Sequence, residues 1–159
     1  MPYKKFLEPI FGSILLDFGG TVATRGVQVN RTNFQSNENI NVAPIICYES
    51  IYGSFITEYV RNGAELLVVI SNDAWWGNTE GHRQLLSYSR LRAIENRRAI
   101  ARSAKTGVSA IIDKKGRIMK KIDYDKKGIL IGNVGLENTQ TFYTKYGDYI
   151  ARIALLMFI

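Results

Sequence analysis

The sequence predicts an α/β fold, and three features of its 159 residues point there. Two apolar runs of strand length, residues 40–46 and 65–71, each end abruptly in polar residues and lead into a segment with helical signals. After the second helical segment, residues 108–113, 117–122 and 128–134 read as three short strands of a β-meander, with Lys114-Lys115-Gly116 as one tight turn. The resulting order, strand–helix–strand–helix–strand–strand–strand, places helices against a sheet.

Residues 1–40 read as irregular. Residues 6–18 suit a short helix or loop, Gly12, Gly19, Gly20 and Gly26 punctuate the stretch, and residues 28–34 read as a strand before the polar turn at 35–39. The strand at 40–46 then runs into Cys47, and a helix follows from about Glu49 to Arg61, stopped by Asn62-Gly63. The run at 65–71 is almost continuously apolar, as expected of a strand buried on both faces. A loop with two tryptophans, Asn72-Asp73-Ala74-Trp75-Trp76-Gly77, leads to a long helix from Thr79 or Glu80 to Ala104, ended by Thr106-Gly107. No repeat, linker or low-complexity segment interrupts this order.

Composition narrows the function classes. Hydrophobic residues make up 46% and charged residues 22%, ordinary for a globular α/β domain. One cysteine allows no internal disulfide, and one cysteine with one histidine allows no zinc-ligand spacing, so no metal is expected; no cofactor is expected either. Gly19-Gly20 precedes a Thr/Val stretch rather than a helix, which excludes a phosphate-binding loop. The net charge of +7 would suit nucleic acid or an anionic membrane surface. The lysine pairs 114–115, 120–121 and 126–127 flank strands and turns, however, and read as a solvated surface with no nucleic-acid partner. Glu8 and Pro9 interrupt the first apolar run, so it does not read as a signal peptide. The last eleven residues grow steadily more apolar, about half of what spans a bilayer.

The chemistry gathers at the ends of two strands. Active sites of α/β folds collect at the carboxyl ends of strands. If these strands are neighbours, Cys47, Glu49, Asn72, Asp73, Trp75 and Trp76 share one crevice. Cys47 would stand beside the first free N–H groups of a helix, which favour a thiolate and a developing oxyanion. A thiol among carboxylates and an aromatic wall suits acyl transfer through a thioester. His82 is the obvious candidate base for a Cys–His pair, although a histidine at a helix start is commonly solvent-exposed. Arg92, Glu95, Arg98 and Arg102 follow one another along the expected long helix. An inward-facing member needs a partner, so Glu95 with Arg92 or Arg98 reads as a structural brace.

These residues form recognisable motifs. Ile46-Cys47-Tyr48-Glu49, Ile70-Ser71-Asn72-Asp73-Ala74-Trp75-Trp76-Gly77 and Arg90-Leu91-Arg92-Ala93-Ile94-Glu95, with Arg98, Arg102 and Gly107 after them, resemble the carbon–nitrogen hydrolase (nitrilase) superfamily. Within it, Cys-Tyr-Glu together with Ser-Asn-Asp-Ala-Trp is similar to the apolipoprotein N-acyltransferases. The match covers most of residues 40–135.

The resemblance implies a nitrilase-like four-layer α-β-β-α sandwich, of which residues 1–140 form the C-terminal part. It implies that residues 141–159 are an exit segment and the start of a transmembrane helix. It also implies an enzyme of the bacterial inner membrane with its catalytic domain on the periplasmic side. The acyl donor would be a phospholipid and the acceptor a lipidated apolipoprotein. Carried over, Cys47 is the nucleophile, the Tyr48 N–H serves the oxyanion hole and Glu49 supports the site. Asn72, Trp75 and Trp76 would line substrate access, and Arg92, Glu95 and Arg98 would be structural. The superfamily's general-base Glu and oxyanion Lys lie upstream of the cysteine, and neither Lys4 nor Lys5 matches that lysine. The chain therefore reads as a C-terminal piece that is inactive by itself. Two other readings remain open: a soluble amidase or nitrilase of the same superfamily, and a non-catalytic basic α/β binding module.

Overall fold

A computed structural model describes residues 30–158, which fall almost wholly in the compact unit Arg31–Ile159. Six strands form one mixed sheet whose spatial order follows the chain: β1 (Phe34–Gln35), β2 (Asn41–Ile46), β3 (Leu66–Ser71), β4 (Ala99–Ala104), β5 (Ser109–Ile112) and β6 (Ile118–Ile122). The helices are α1 (Gly53–Arg61), α2 (Glu80–Asn96), α3 (Phe142–Tyr146) and α4 (Tyr149–Met157). β2, β3 and β4 run parallel, joined by crossovers through α1 and α2, while β1, β5 and β6 pair antiparallel at the two sides. Parallel neighbours need such long crossovers, and a helix fills each.

One face of the sheet makes the core. Ala43 and Ile45 of β2, Leu67 and Val69 of β3, Ile100 of β4 and Ala110 and Ile112 of β5 pack against Ile56, Tyr59 and Val60 of α1 and Ala93 of α2. The opposite face is apolar too, but among the described residues it is covered only in part. Val42, Pro44, Leu66 and Val68 are half-buried, and Ile46 and Ile70 are exposed. Among the described residues β3 is thus fully buried on one face and only partly covered on the other, where its continuous apolar run suggests burial on both.

The expected long helix is two elements. α2 stops at Asn96, Arg97 takes the left-handed conformation (φ 53°), and residues 99–104 are strand β4, paired in register with all of β3. Ala and Arg favour helix intrinsically. Burial of Ile100 and Arg102 beside β3 overrides that preference, as tertiary packing commonly does for strands. Arg98 and Arg102 therefore do not share a helix with Arg92 and Glu95. The meander consists of β4, β5 and β6, one strand earlier than expected. Residues 128–134 form no strand, and Lys120 Nζ donates to the Ile131 carbonyl there (2.6 Å).

The expected helix at 49–61 is a one-turn 3₁₀ helix, Cys47–Ile51, followed by α1. The expected strand at 28–34 is reduced to β1, beginning at Phe34; its first two residues, the segment at 6–18, Lys4 and Lys5 lie outside the described residues. At the other end α3 is pinned to the core. Arg61 Nε donates to the Thr144 carbonyl (2.6 Å), and the Thr144 hydroxyl donates to Asn96 Oδ1 (3.0 Å). α4 follows with no buried residue. Among the described residues, no helix is long and apolar enough to cross a membrane.

Candidate active site

The parallel register sets the site. Ile46 pairs with Ile70 and Ser71 with Ala104, so the chain leaves β2, β3 and β4 at one sheet edge. Cys47, Asn72-Asp73 and the turn at Gly107 are thereby brought together from three segments.

Cys47 turns the chain. Its φ of 52° is left-handed, a conformation costing an L-residue roughly 1–2 kcal/mol, and such strain persists only where neighbours hold it. Here they are identifiable. The Ile46 N–H donates to Glu49 Oε2 (2.7 Å), and the buried Ser50 hydroxyl donates to the Cys47 carbonyl (2.8 Å). Arg92 Nη1 of α2 donates to the Ile51 carbonyl (3.1 Å), tying the elbow to the helix layer. Glu49 is thus turned back onto the elbow as a brace. The Cys47 side chain sits half-buried at the rim.

Beneath the thiol lies an assembly that the sequence did not single out. The Ser71 hydroxyl lies 3.5 Å from Cys47 Sγ and also bonds Asp73 Oδ1. Asp73 Oδ2 accepts from Arg102 Nη2 (2.6 Å), with both side chains fully buried. Arg102 completes its bonding with Ser89 Oγ and the Val108 carbonyl, each at 3.2 Å. Gly107 makes room, since a Cβ there would overlap Asp73 Oδ2. Arg102 escaped the sequence reading because it was placed on a helix, and Ser71 because it lay inside a motif read for Asn72 and Asp73.

The aromatic residues divide. Tyr48 and Trp76 meet at 6.3 Å between ring centroids and line one side of the elbow. Trp75 is 89% exposed and projects away from the protein. Asn72 caps the short 3₁₀ turn Asp73–Trp76 by accepting from the Ala74 N–H (3.3 Å), so it faces outward while Asp73 faces in. His82 is buried, against the expectation of exposure. Its Nδ1 lies 3.2 Å from the Gly77 carbonyl and its ring 4.5 Å from that of Tyr124, so its partners are not the thiol.

The other charged candidates brace the fold. Arg92 pairs with Glu95 (3.0 Å). Burial pushes the Glu95 carboxyl above its usual range, and Arg92 opposes the shift. Arg98 is fully buried and donates to the carbonyls of Ala64 (2.6 Å), Asn96 (3.1 Å) and Thr139 (2.8 Å), with burial lowering its pKa. Among the described residues no three His, Cys, Asp or Glu side chains cluster to hold a metal. What the geometry offers is a thiol on a strained, braced turn beside a hydroxyl and an aromatic wall, which is equipment for nucleophilic acyl chemistry.

The carbon–nitrogen hydrolase family model matches residues 2–144. The chain belongs to this family. Among curated proteins, it is 38% identical to an apolipoprotein N-acyltransferase of Chlorobaculum tepidum over 98% of its own length and 30% of that protein's. It is 39% identical to one of Geobacter metallireducens over 67% of this chain and 20% of that protein. The chain therefore spans about a third or less of the curated relatives it matches. A carbon–nitrogen hydrolase of Helicobacter pylori has the same fold, with a TM-score of 0.59 at 16% identity over 84% of this chain and 50% of that one. The nitrilase-like α/β fold with a mixed sheet follows from the family match and this likeness together.

Proposed function

We propose that this chain carries the nucleophile-bearing part of an apolipoprotein N-acyltransferase. The supporting observation is Cys47 itself, the only cysteine, held left-handed at the carboxyl edge of the sheet by Glu49 and Ser50. The apolipoprotein N-acyltransferases it resembles at 38% and 39% identity supply the reaction. In the first step Cys47 sulfur attacks the ester carbonyl of a phospholipid, forming a thioester as the lysophospholipid alkoxide leaves and takes up a proton. In the second, the free amine of a lipoprotein's diacylglyceryl-cysteine attacks the thioester, forming the amide and releasing the thiol.

The Tyr48 N–H follows the nucleophile and would donate to the oxyanion, while Glu49 keeps the elbow in shape. Trp76 and Tyr48 would form the wall along which the acyl chain lies, with Asn72 shaping the loop. The outward Trp75 would meet lipid. The general-base Glu and oxyanion Lys are those that family resemblance places upstream of the cysteine. The apolar outer face of the sheet would pack on a second sheet to complete the four-layer sandwich. α4, apolar and unburied, would enter the bilayer, placing the protein in the bacterial inner membrane with this domain on the periplasmic side.

The test is acyl transfer from phospholipid vesicles to a synthetic diacylglyceryl-cysteine peptide by the protein that carries this chain. The expected product is the peptide acylated on its N-terminal amine. Release of ammonia from small amides without lipid, and no acylated peptide, would make it an amidase instead.

A further inference from the structure

The buried assembly behind Cys47 is larger than a turn requires. Burying Arg102 and Asp73 away from water carries a desolvation penalty that their attraction offsets only in good geometry. That geometry is present, and nearly every bonding direction is used. Arg102 bonds Asp73, Ser89 and Val108, and Asp73 bonds Arg102 and Ser71. The route out of the assembly toward the site is Ser71 Oγ, whose remaining neighbour is Cys47 Sγ at 3.5 Å.

A hydroxyl has one hydrogen and two lone pairs, and a carboxylate only accepts. The charge-assisted bond is the stronger, so the Ser71 hydrogen goes to Asp73 rather than to sulfur. Only lone pairs then face the thiol, and the hydrogen in the sulfur–oxygen contact must be that of Cys47. We infer that Ser71 is a positioning residue for the Cys47 nucleophile, accepting its S–H hydrogen, with Asp73 and Arg102 fixing the direction of the contact.

This rests on reading Cys47 as the nucleophile. The thiol's proton stays between sulfur and Ser71 until a base takes it; none passes to Ser71, and sulfur attacks once the S–H bond has broken. Among the described residues, the charged residues bonded to the elbow or to the assembly behind it include Glu49 on the elbow itself, Asp73 on the following 3₁₀ turn, Arg102 on β4, Arg92 on α2, which reaches the Ile51 carbonyl, and Lys105, whose backbone N–H donates to the Ser71 carbonyl.

The experiment is the infrared S–H stretch of the chain, with Cys47 as the only thiol. In the parent the stretch lies below that of the urea-unfolded chain, a readout needing no variant. In Ser71→Ala, which removes the accepting oxygen, it moves up toward the unfolded frequency. Ser71→Thr, which keeps the hydroxyl, retains the parent frequency. A parent stretch at the unfolded frequency, or one unmoved by Ser71→Ala, overturns the inference. The measurement needs no lipid, so failure of acyl transfer would leave this result standing, and the reverse holds equally.

Discussion

Replacing Asp73 by alanine leaves the Arg102 guanidinium fully buried with Ser89 Oγ and the Val108 carbonyl but no counter-charge. Breaking a buried pair from one side costs about 3–5 kcal/mol, because the remaining ion is uncompensated. A domain is stable by only about 5–15 kcal/mol, so the loss is a large share of the whole. At a urea dependence of about 2 kcal/mol per molar, the unfolding midpoint should fall by about 2 M. Arg102→Met should cost a similar amount, since it strands the carboxylate with Ser71 alone. The double variant should be more stable than the two losses summed, with a coupling of about 1–3 kcal/mol. Arg83→Ala serves as the reference, because the Arg83–Glu80 pair is exposed and should be worth under about 1 kcal/mol. Midpoints measured by circular dichroism in urea decide the matter. A loss in Asp73→Ala no greater than in Arg83→Ala, or strictly additive singles, would refute the claim that this pair anchors the ground beneath Cys47.

Three further outcomes follow from the same geometry. Gly107→Ala should destabilise by an amount approaching that of Asp73→Ala, since its Cβ displaces Asp73; an unchanged urea midpoint would contradict this. Hydrogen bonds from Lys114 Nζ and the Thr139 hydroxyl, with the Lys114 charge, hold the Glu137 carboxyl down to about 2. Its stabilising effect is then fully present above the ordinary value of 4.5 and lost as pH falls toward about 2. Carboxyl NMR should show that low midpoint in the parent and a return toward 4.5 in Lys114→Ala, and a Glu137 midpoint already near 4.5 in the parent would disprove the contact. Trp75→Ala should leave the unfolding free energy within about 0.5 kcal/mol of the parent, because the ring is 89% exposed, while weakening transfer from phospholipid vesicles. Unfolding at a much lower midpoint would show that the ring packs on the fold.

The parts legible in the sequence were those where local pattern and tertiary structure agree. β2 and β3 announce themselves as apolar runs ending in polar residues, and their parallel pairing makes them the neighbours that the shared-crevice reading required; of its residues Asp73 turns in behind Cys47 through Ser71, whereas Asn72 and Trp75 turn outward. Arg92 and Glu95 are three apart on one helix, so their pairing was open to reading. β4 was not, because Ala-Ile-Ala-Arg-Ser-Ala has helix-forming composition, and only its neighbour β3 and the left-handed Arg97 make it a strand. That one misreading hid the assembly behind the site. With Arg102 on a helix, nothing in the sequence could connect it to an aspartate 29 residues earlier. His82 went astray for the converse reason. A lone histidine at a helix start is usually solvated, and its burial depends on Tyr124, far along the chain.

The central claim is that Cys47 is the residue that carries the acyl chain. Intact-protein mass spectrometry after incubating the protein that carries this chain with phospholipid, without an acceptor, tests it most directly. The account requires a mass gain of one acyl group, located to the Cys47 peptide, removed by neutral hydroxylamine as a thioester is, and absent in Cys47→Ser. An acyl group that resists hydroxylamine, or that persists on another residue in Cys47→Ser, would contradict it.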